Sequence, residues 1–284
     1  MTLPELWTHK PQKILAFKAG DRIEDIDTNS SPGFDGAKDD APELQRDRNE
    51  RFAELQEMLY ANGRHGDHRS VLLVLQGMDT AGKGGIVEHV VGAGNPMGIR
   101  YKSFGVPTPE ELQHHYLWRI RKALPTGGQL GVFDRSHYED VLVVRVHNLV
   151  PPDVWGARYD EINAFEKELT EAGTSIVKVA MFVSLEEQKQ RLSDRLEDPE
   201  KHWKYNPGDL DERALWPQYR EAYQAMLDKT STDHAPWHVV PADKKWYSRL
   251  AVTELLIETL KSLQLSWPPA DFDVKAEKKR LSTA

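Results

Sequence analysis

Val71 to Leu75 reads VLLVL, an apolar run with no polar alternation, and Gln76 to Gly85 follows it as QGMDTAGKGG. An amphipathic helix would repeat its apolar residues at three- and four-residue steps, and a half-exposed strand would alternate them. A short unbroken run instead suits a strand covered by helices on both faces, as in a parallel sheet. Gly77, Gly82 and Lys83 then hold the spacing G-x-x-x-x-G-K of a phosphate-binding loop, between that strand and a helical pattern. In such a loop the glycines let backbone N–H groups face an anion, the helix start adds partial positive charge, and the lysine adds a full one. A glycine-rich turn that serves packing alone is the competing explanation. The stretch also departs from the pattern twice. Gly84 stands where Ser or Thr normally follows the lysine to hold magnesium, and Asp79 places an acid inside a cradle for anions.

Comparable apolar runs occur at Ile176 to Val183 (IVKVAMFV), Leu130 to Phe133 (LGVF) and Trp237 to Val240 (WHVV), and Ile99 to Phe104 (IRYKSF) would supply a fifth strand. Helical patterns lie between them at Lys83 to Gly94, Pro109 to Leu124, Asp153 to Ala172, Leu185 to Leu196, Asp211 to Asp228 and Lys244 to Leu263. Another precedes the first strand, at Ala41 to Asn62, where Leu44, Phe52, Leu55, Met58 and Leu59 share a face and Gly63 would end the helix. Strands alternating with helices predict an α/β fold, a right-handed parallel five-stranded sheet sandwiched by helices. A chain of 284 residues can bury a full core. We expect an irregular arm over residues 1–40, one domain over 41–265, and a tail over 266–284 that is loose at its end.

The chain has no cysteine, which excludes disulfides, thiolate metal sites and a cysteine nucleophile. Its net charge of −8 argues against a general nucleic-acid or acidic-membrane partner. A polyanionic ligand would need locally gathered cations. The N-terminal stretch shows no secretory leader, and no run approaches the roughly 18 apolar residues that cross a bilayer, so a cytoplasmic location is expected.

Asp79 opposes an anion unless a cation lies between them. A carboxylate and a phosphate oxygen about 4 Å apart repel by about 4 kcal/mol at an effective dielectric near 20. Magnesium reverses the sign by taking both oxygens as ligands. The two departures can therefore be one substitution, with Asp79 replacing the ligand lost at Gly84. A surface turn residue is the alternative. Asp134 directly follows the LGVF strand, where phosphate-loop proteins keep the carboxylate that holds magnesium, and Arg135 beside it can face phosphate oxygens.

Cations gather in two places. Leu112 to Phe133 contains no acid but carries His114, His115, Arg119, Arg121 and Lys122, of which His115, Arg119 and Lys122 can share a helix face. Arg191, Arg195, Lys201, Lys204 and Arg213 follow the fourth strand, and Asn206-Pro207-Gly208 breaks the helix there. That arrangement looks like a nucleotide-kinase lid over about 191–213. Because Asp194, Glu197, Asp198 and Glu200 are interleaved, a salt-bridged solvent face is the alternative. His65 and His68 have metal-like spacing but no second pair, and read as loop residues. The aromatic residues of KHWKYNP and DKKWYSR can stack on a base or simply pack.

Taken together, GMDTAGKGG, FGVPTPEELQHHYLWRIRKALP, GVFDRSHYEDVLVVRVHNLVP, EEQKQRLSDRLEDPEKHWKYNPGDL and STDHAPWHVVPADKKWYSRL resemble the polyphosphate kinase 2 family from Glu54 to Leu263. The resemblance implies a thymidylate-kinase-like P-loop kinase fold with a helical lid. It implies phosphoryl transfer between inorganic polyphosphate and nucleotides, AMP to ADP and ADP to ATP, with GMP and GDP as further acceptors. Mg2+, or Mn2+ in its place, would be held by Asp79 and Asp134, with Lys83 and Arg135 completing the catalytic set. The phosphate and nucleotide contacts would be Gly77, Ala81, Gly82, Lys83, Gly84, Gly85, Arg119, Glu139, Arg191, Arg195 and Lys204, with Arg213 beside them. Glu139 stands where the ADP-only subgroups continue DRS as WYNR, and so resembles the class acting on AMP and ADP. A homo-oligomer is expected. The rivals are an ATP-dependent nucleoside monophosphate kinase, which would want a hydroxyl at position 84, and a non-catalytic nucleotide sensor.

Overall fold

The structure is a computed structural model that describes residues 6–284. Strands β1 (Ser70–Gly77), β2 (Ile99–Ser103), β3 (Leu130–Asp134), β4 (Thr174–Phe182) and β5 (Trp237–Pro241) form one sheet in the order β2-β3-β1-β4-β5. Every neighbouring pair is parallel. The helices are α1 (Pro11–Ile14), α2 (Ala41–Arg64), α3 (Lys83–His89), α4 (Leu117–Ala123), α5 (Val143–Val146), α6 (Pro152–Glu171), α7 (Leu185–Glu197), α8 (Gly208–Ala214), α9 (Trp216–Thr230), α10 (Lys245–Ser262) and α11 (Val274–Leu281).

The unbroken apolar run of β1 has a direct explanation. Val71, Leu73 and Leu75 point into a core shared with α2, α3 and α10, while Leu72 and Val74 point into a second core shared with α4, α6 and α9. Both faces are buried, so no position in the run can be polar without a partner. Because β3 and β4 lie on opposite sides of β1, the strand order reverses there. Its carboxyl end opens into the crevice where such sheets bind ligands.

Several boundaries differ from expectation. Gly63 lies in the last turn of α2 rather than ending it. A Cβ there would come within 2.4 Å of the Gly128 Cα, so this glycine permits close packing, and the helix ends at His65. The pattern at 83–94 gives only the seven-residue α3 and a 3-10 turn at Val91–Ala93. That at 109–124 gives only α4 as α-helix. Thr108 and Glu111 cap each other's backbone N–H groups around a single 3-10 turn, and His114 is then extended. The pattern at 211–228 splits into α8 and α9 at Leu215, ahead of Pro217.

The arm carries more structure than expected. Leu15, Phe17, Ile23 and Phe34 are buried. Phe17 N–H donates to the Trp237 carbonyl at 2.8 Å, and Val239 N–H to the Leu15 carbonyl at 2.7 Å, so the arm shields the free edge of β5. In the tail, Asp273 caps α11, which has no buried residue.

Candidate phosphoryl-transfer site

The loop between β1 and α3 is shaped by close approach and by left-handed backbone. A Cβ on Gly77 would lie 2.9 Å from the Met181 carbonyl of β4, and Gly82 has φ +106°, where a side chain is strained. Thr80 also has positive φ, 66°. Its hydroxyl is buried with no hydrogen-bond partner among the described residues. Lys83, the first residue of α3, donates from Nζ to the Gly77 carbonyl at 2.6 Å and the Met78 carbonyl at 3.3 Å. Its ammonium is therefore held within the cradle. Burial, then the charge of Arg135, lower its pKa, while Asp134, Asp79 and Glu139 act the other way.

The second element is the end of β3. Arg135 follows Asp134 with φ 63°, and its N–H donates to the Leu75 carbonyl at 3.0 Å, tying this turn to β1. Its Nη2 lies 2.5 Å from Asp79 Oδ1, and its Nη1 lies 3.8 Å from Glu139 Oε2. Burial works against the guanidinium, but Glu139 and Asp79 outweigh it and raise its pKa. Glu139 also accepts from Gln76 Nε2 at 3.0 Å. Asp79 is thus a partner of Arg135 as well as a neighbour of the phosphate cradle.

A cleft of about 890 Å³ opens above this pair of strand ends. Asp79, Thr80, Gly82, Lys83, Gly84, Gly85, Asp134, Arg135, Arg191, Arg195 and Lys204 all line it, as do Lys201, Trp203, Tyr101 and Ser103. Two further cations, Lys245 and Arg249, stand one helical turn apart at the start of α10 and face the same cleft. Their spacing was legible in DKKWYSR, whose Trp246 and Tyr247 pack in the core instead of stacking on a ligand. Eight Lys and Arg residues against four acids line the cleft, in a chain whose net charge is −8.

The lid arginines are held in different ways. Arg191 is buried, donating to the Thr80, Ala242 and Asp243 carbonyls and pairing with Glu187 at 2.7 Å. It braces the phosphate loop against the loop after β5. Arg195 donates to the Lys204 carbonyl at 3.0 Å and pairs with Asp209 at 3.2 Å. Of the expected contacts, Gly77, Ala81, Arg119, Arg213 and Glu139 lie away from the cleft lining. Arg119 is buried against Phe104 and donates to the Gly105 carbonyl. Arg213 donates to the Leu185 carbonyl and to Gln188. Ala81 is buried in the core. Glu139 reaches the cleft only through Arg135. Among the described residues no cluster of three or more His, Asp or Glu side chains is placed to hold a metal, His65 and His68 included. Tyr101 Oη is 3.5 Å from Asp134 Oδ2.

Comparison with known proteins identifies relatives of the whole chain. Residues 36–266 match the family described as Polyphosphate kinase 2 (PPK2). The chain is 48% identical over 246 residues to an AMP/ADP-polyphosphate phosphotransferase of Meiothermus ruber, covering 87% of this chain and 91% of that one. It is 40% identical over 276 residues to an ADP-polyphosphate phosphotransferase of Rhodopseudomonas palustris, covering 90% and 92%. The crystal structure of Polyphosphate Kinase 2 from Arthrobacter aurescens TC1 superposes with TM-score 0.96 at 51% identity, covering 98% of each chain.

Proposed function

The chain belongs to the polyphosphate kinase 2 family, and from that premise we propose how its cleft moves a phosphoryl group between inorganic polyphosphate and a nucleotide. It is a phosphotransferase with a P-loop kinase fold. The observation that carries the residue assignments is the convergence of eight cations and two loop-proximal carboxylates on one cleft at the carboxyl end of β1.

On this reading the phosphate loop and Lys83 hold the terminal unit of polyphosphate. Arg135 faces the transferring phosphate, and Lys201, Lys204, Lys245 and Arg249 neutralise the chain beyond it. An oxygen of the acceptor's terminal phosphate attacks the terminal phosphorus in line. The bridging P–O bond breaks, and its electron pair leaves on the shortened polyphosphate. The acceptor is already an anion near neutral pH, so the residues orient and neutralise, and no strong base is needed. Arg191 acts by fixing the loop, through the Thr80 carbonyl, against β5.

Two carboxylates and an unpartnered hydroxyl, Asp79, Asp134 and Thr80, border the cradle. That oxygen set fits a hard divalent cation, which is commonly held by one or two carboxylates with substrate phosphates. The cation would be Mg2+, with Mn2+ as a substitute, and would supply positive charge against the charge that develops on the phosphates. Asp79 and Asp134 would hold it.

Glu139, which departs from the ADP-only pattern in the turn after Asp134-Arg135-Ser136, supports AMP and ADP as acceptors, with GMP and GDP as further ones. The relative from Meiothermus ruber carries AMP/ADP in its name. We also propose a cytoplasmic homo-oligomer with no nucleic-acid or membrane partner. Among the described residues no helix is long and apolar enough to cross a membrane. Exposed Val106 and Leu112 offer apolar surface to a second copy. The test supplies AMP, ADP or GDP with polyphosphate or ATP as sole donor. A higher nucleotide formed from polyphosphate is expected; transfer from ATP alone, or none from either donor, would defeat the assignment.

A further inference from the structure

Lys178 is a charged residue in the middle of the apolar run of β4, between Val74 of β1 and Trp237 of β5. It is fully buried. Its ammonium has three acceptors: Glu166 Oε2 at 2.6 Å, the Thr230 carbonyl at 2.6 Å and Tyr138 Oη at 2.8 Å. Glu166, equally buried on α6, takes the Tyr138 hydroxyl at 2.7 Å and His137 Nε2 at 3.2 Å on its other oxygen. His137 Nδ1 has no partner among the described residues, so Glu166 is what holds that ring. Burying two opposite charges for stability alone is inefficient, because well-packed apolar residues of similar volume often do as well or better. The network therefore calls for another account.

Its position supplies one. His137 and Tyr138 belong to the short turn His137–Asp140, two residues past Arg135, and the next residue is Glu139. One side of this turn grips the buried charges. The other presents Glu139 to Gln76 and Arg135, and Arg135 to Asp79. Arg135 itself holds a left-handed backbone conformation, which is strained for a side chain and persists only where the surroundings enforce it. The tie from Arg135 N–H to Leu75 constrains it on one side, and the grip on His137 and Tyr138 constrains it on the other.

We propose that Lys178 and Glu166 are positioning residues, a buried ion pair that sets the turn carrying Arg135 and Glu139 at the height needed to receive the acceptor nucleotide. This rests on the phosphotransferase assignment above. The chain-binding cations Lys201, Lys204, Lys245 and Arg249 do not touch the network, and Lys83 is held by the Gly77 and Met78 carbonyls, so most of the polyphosphate site is fixed without it.

The experiment compares wild type, the charge-free double variant Lys178→Met/Glu166→Leu, and Tyr138→Phe, which removes one hydroxyl and keeps the ring against Trp237. Steady-state kinetics are run with AMP or ADP varied at saturating polyphosphate, and then the reverse, beside thermal unfolding. The double variant is expected to unfold cooperatively near the wild-type temperature. Its KM for the acceptor should rise tenfold or more while that for polyphosphate stays within about twofold. Tyr138→Phe should move the acceptor KM threefold or more in the same direction. A folded double variant with the acceptor KM within twofold of wild type would overturn the proposal. If the double variant fails to fold, an unchanged acceptor KM in Tyr138→Phe overturns it, and a selective rise supports it. A parallel rise in both KM values also overturns it, because that is what general loosening of the domain would give. Absence of polyphosphate-dependent turnover in wild type would instead defeat the underlying assignment.

Discussion

Replacing Asp79 by alanine separates the ion pair with Arg135 that the structure shows from the metal-holding role proposed above. As a partner of Arg135 it makes a 2.5 Å contact, but the two side chains are 24% and 36% exposed. Solvent screens such a pair to about 1 kcal/mol or less. For a domain of this size that is a fall in Tm of about 2–4 °C. As a ligand that places a cation among phosphate oxygens, the carboxylate acts on charge at about 4 Å, worth about 4 kcal/mol at an effective dielectric near 20. Lost from the transition state, that is about a thousandfold in kcat/KM. Asp79→Ala should therefore remain folded and lose activity by about three orders of magnitude, and raising magnesium should not readily restore it. Two measurements check this: kcat/KM for polyphosphate-driven ADP formation across a magnesium series, and thermal unfolding with polyphosphate in the presence and absence of magnesium. Wild type should gain stability when both are present, and the variant should not. Full activity in the variant, or a loss no larger than its unfolded fraction, would refute the metal-holding role and leave Asp79 as a partner of Arg135 alone.

Lys245→Ala and Arg249→Ala should each raise KM for polyphosphate severalfold, and the double variant should show a shallower dependence of KM on salt; acceptor KM should hold steady in the same assays. Gly63→Ala should cost about 1–3 kcal/mol in chemical denaturation, because its Cβ meets backbone atoms of Gly128 that cannot rotate away. His238 gives a pH test. Burial lowers its pKa from 6.5 to about 4, while its ring donates from Nδ1 to the Lys178 carbonyl. The unfolded chain binds this proton below pH 6.5 and the folded one only below about 4. Its contribution to stability is thus full above pH 6.5 and lost as pH falls to 4, to the extent of about 3 kcal/mol. Denaturation midpoints across that window should fall in wild type, and less so in His238→Gln.

Local pattern settled much of this protein. An apolar run without alternation means a strand covered on both faces, and β1, β3, β4 and β5 lie where their composition put them because burial is recorded in each strand's own residues, while the edge strand β2 is half-buried to exposed. The phosphate loop was legible for a similar reason. Its glycines, lysine and Asp79 act through nearby backbone, and sequence spacing preserves that geometry. Helix ends were less legible, since Gly63 answers to Gly128 across a helix–loop contact and Glu111 caps a single turn. Only the tertiary structure could say which cations converge. Arg119 and Lys245 look equally available in the sequence. Folding turns Arg119 onto Phe104 and the Gly105 carbonyl, and brings Lys245, on a helix far along the chain, beside the loop. The partnership of Asp79 with Arg135, and of Lys178 with Glu166, likewise exists only after β1, β3, β4 and α6 are packed. Charge acts through space, so its partners are decided by the fold and not by neighbours along the chain.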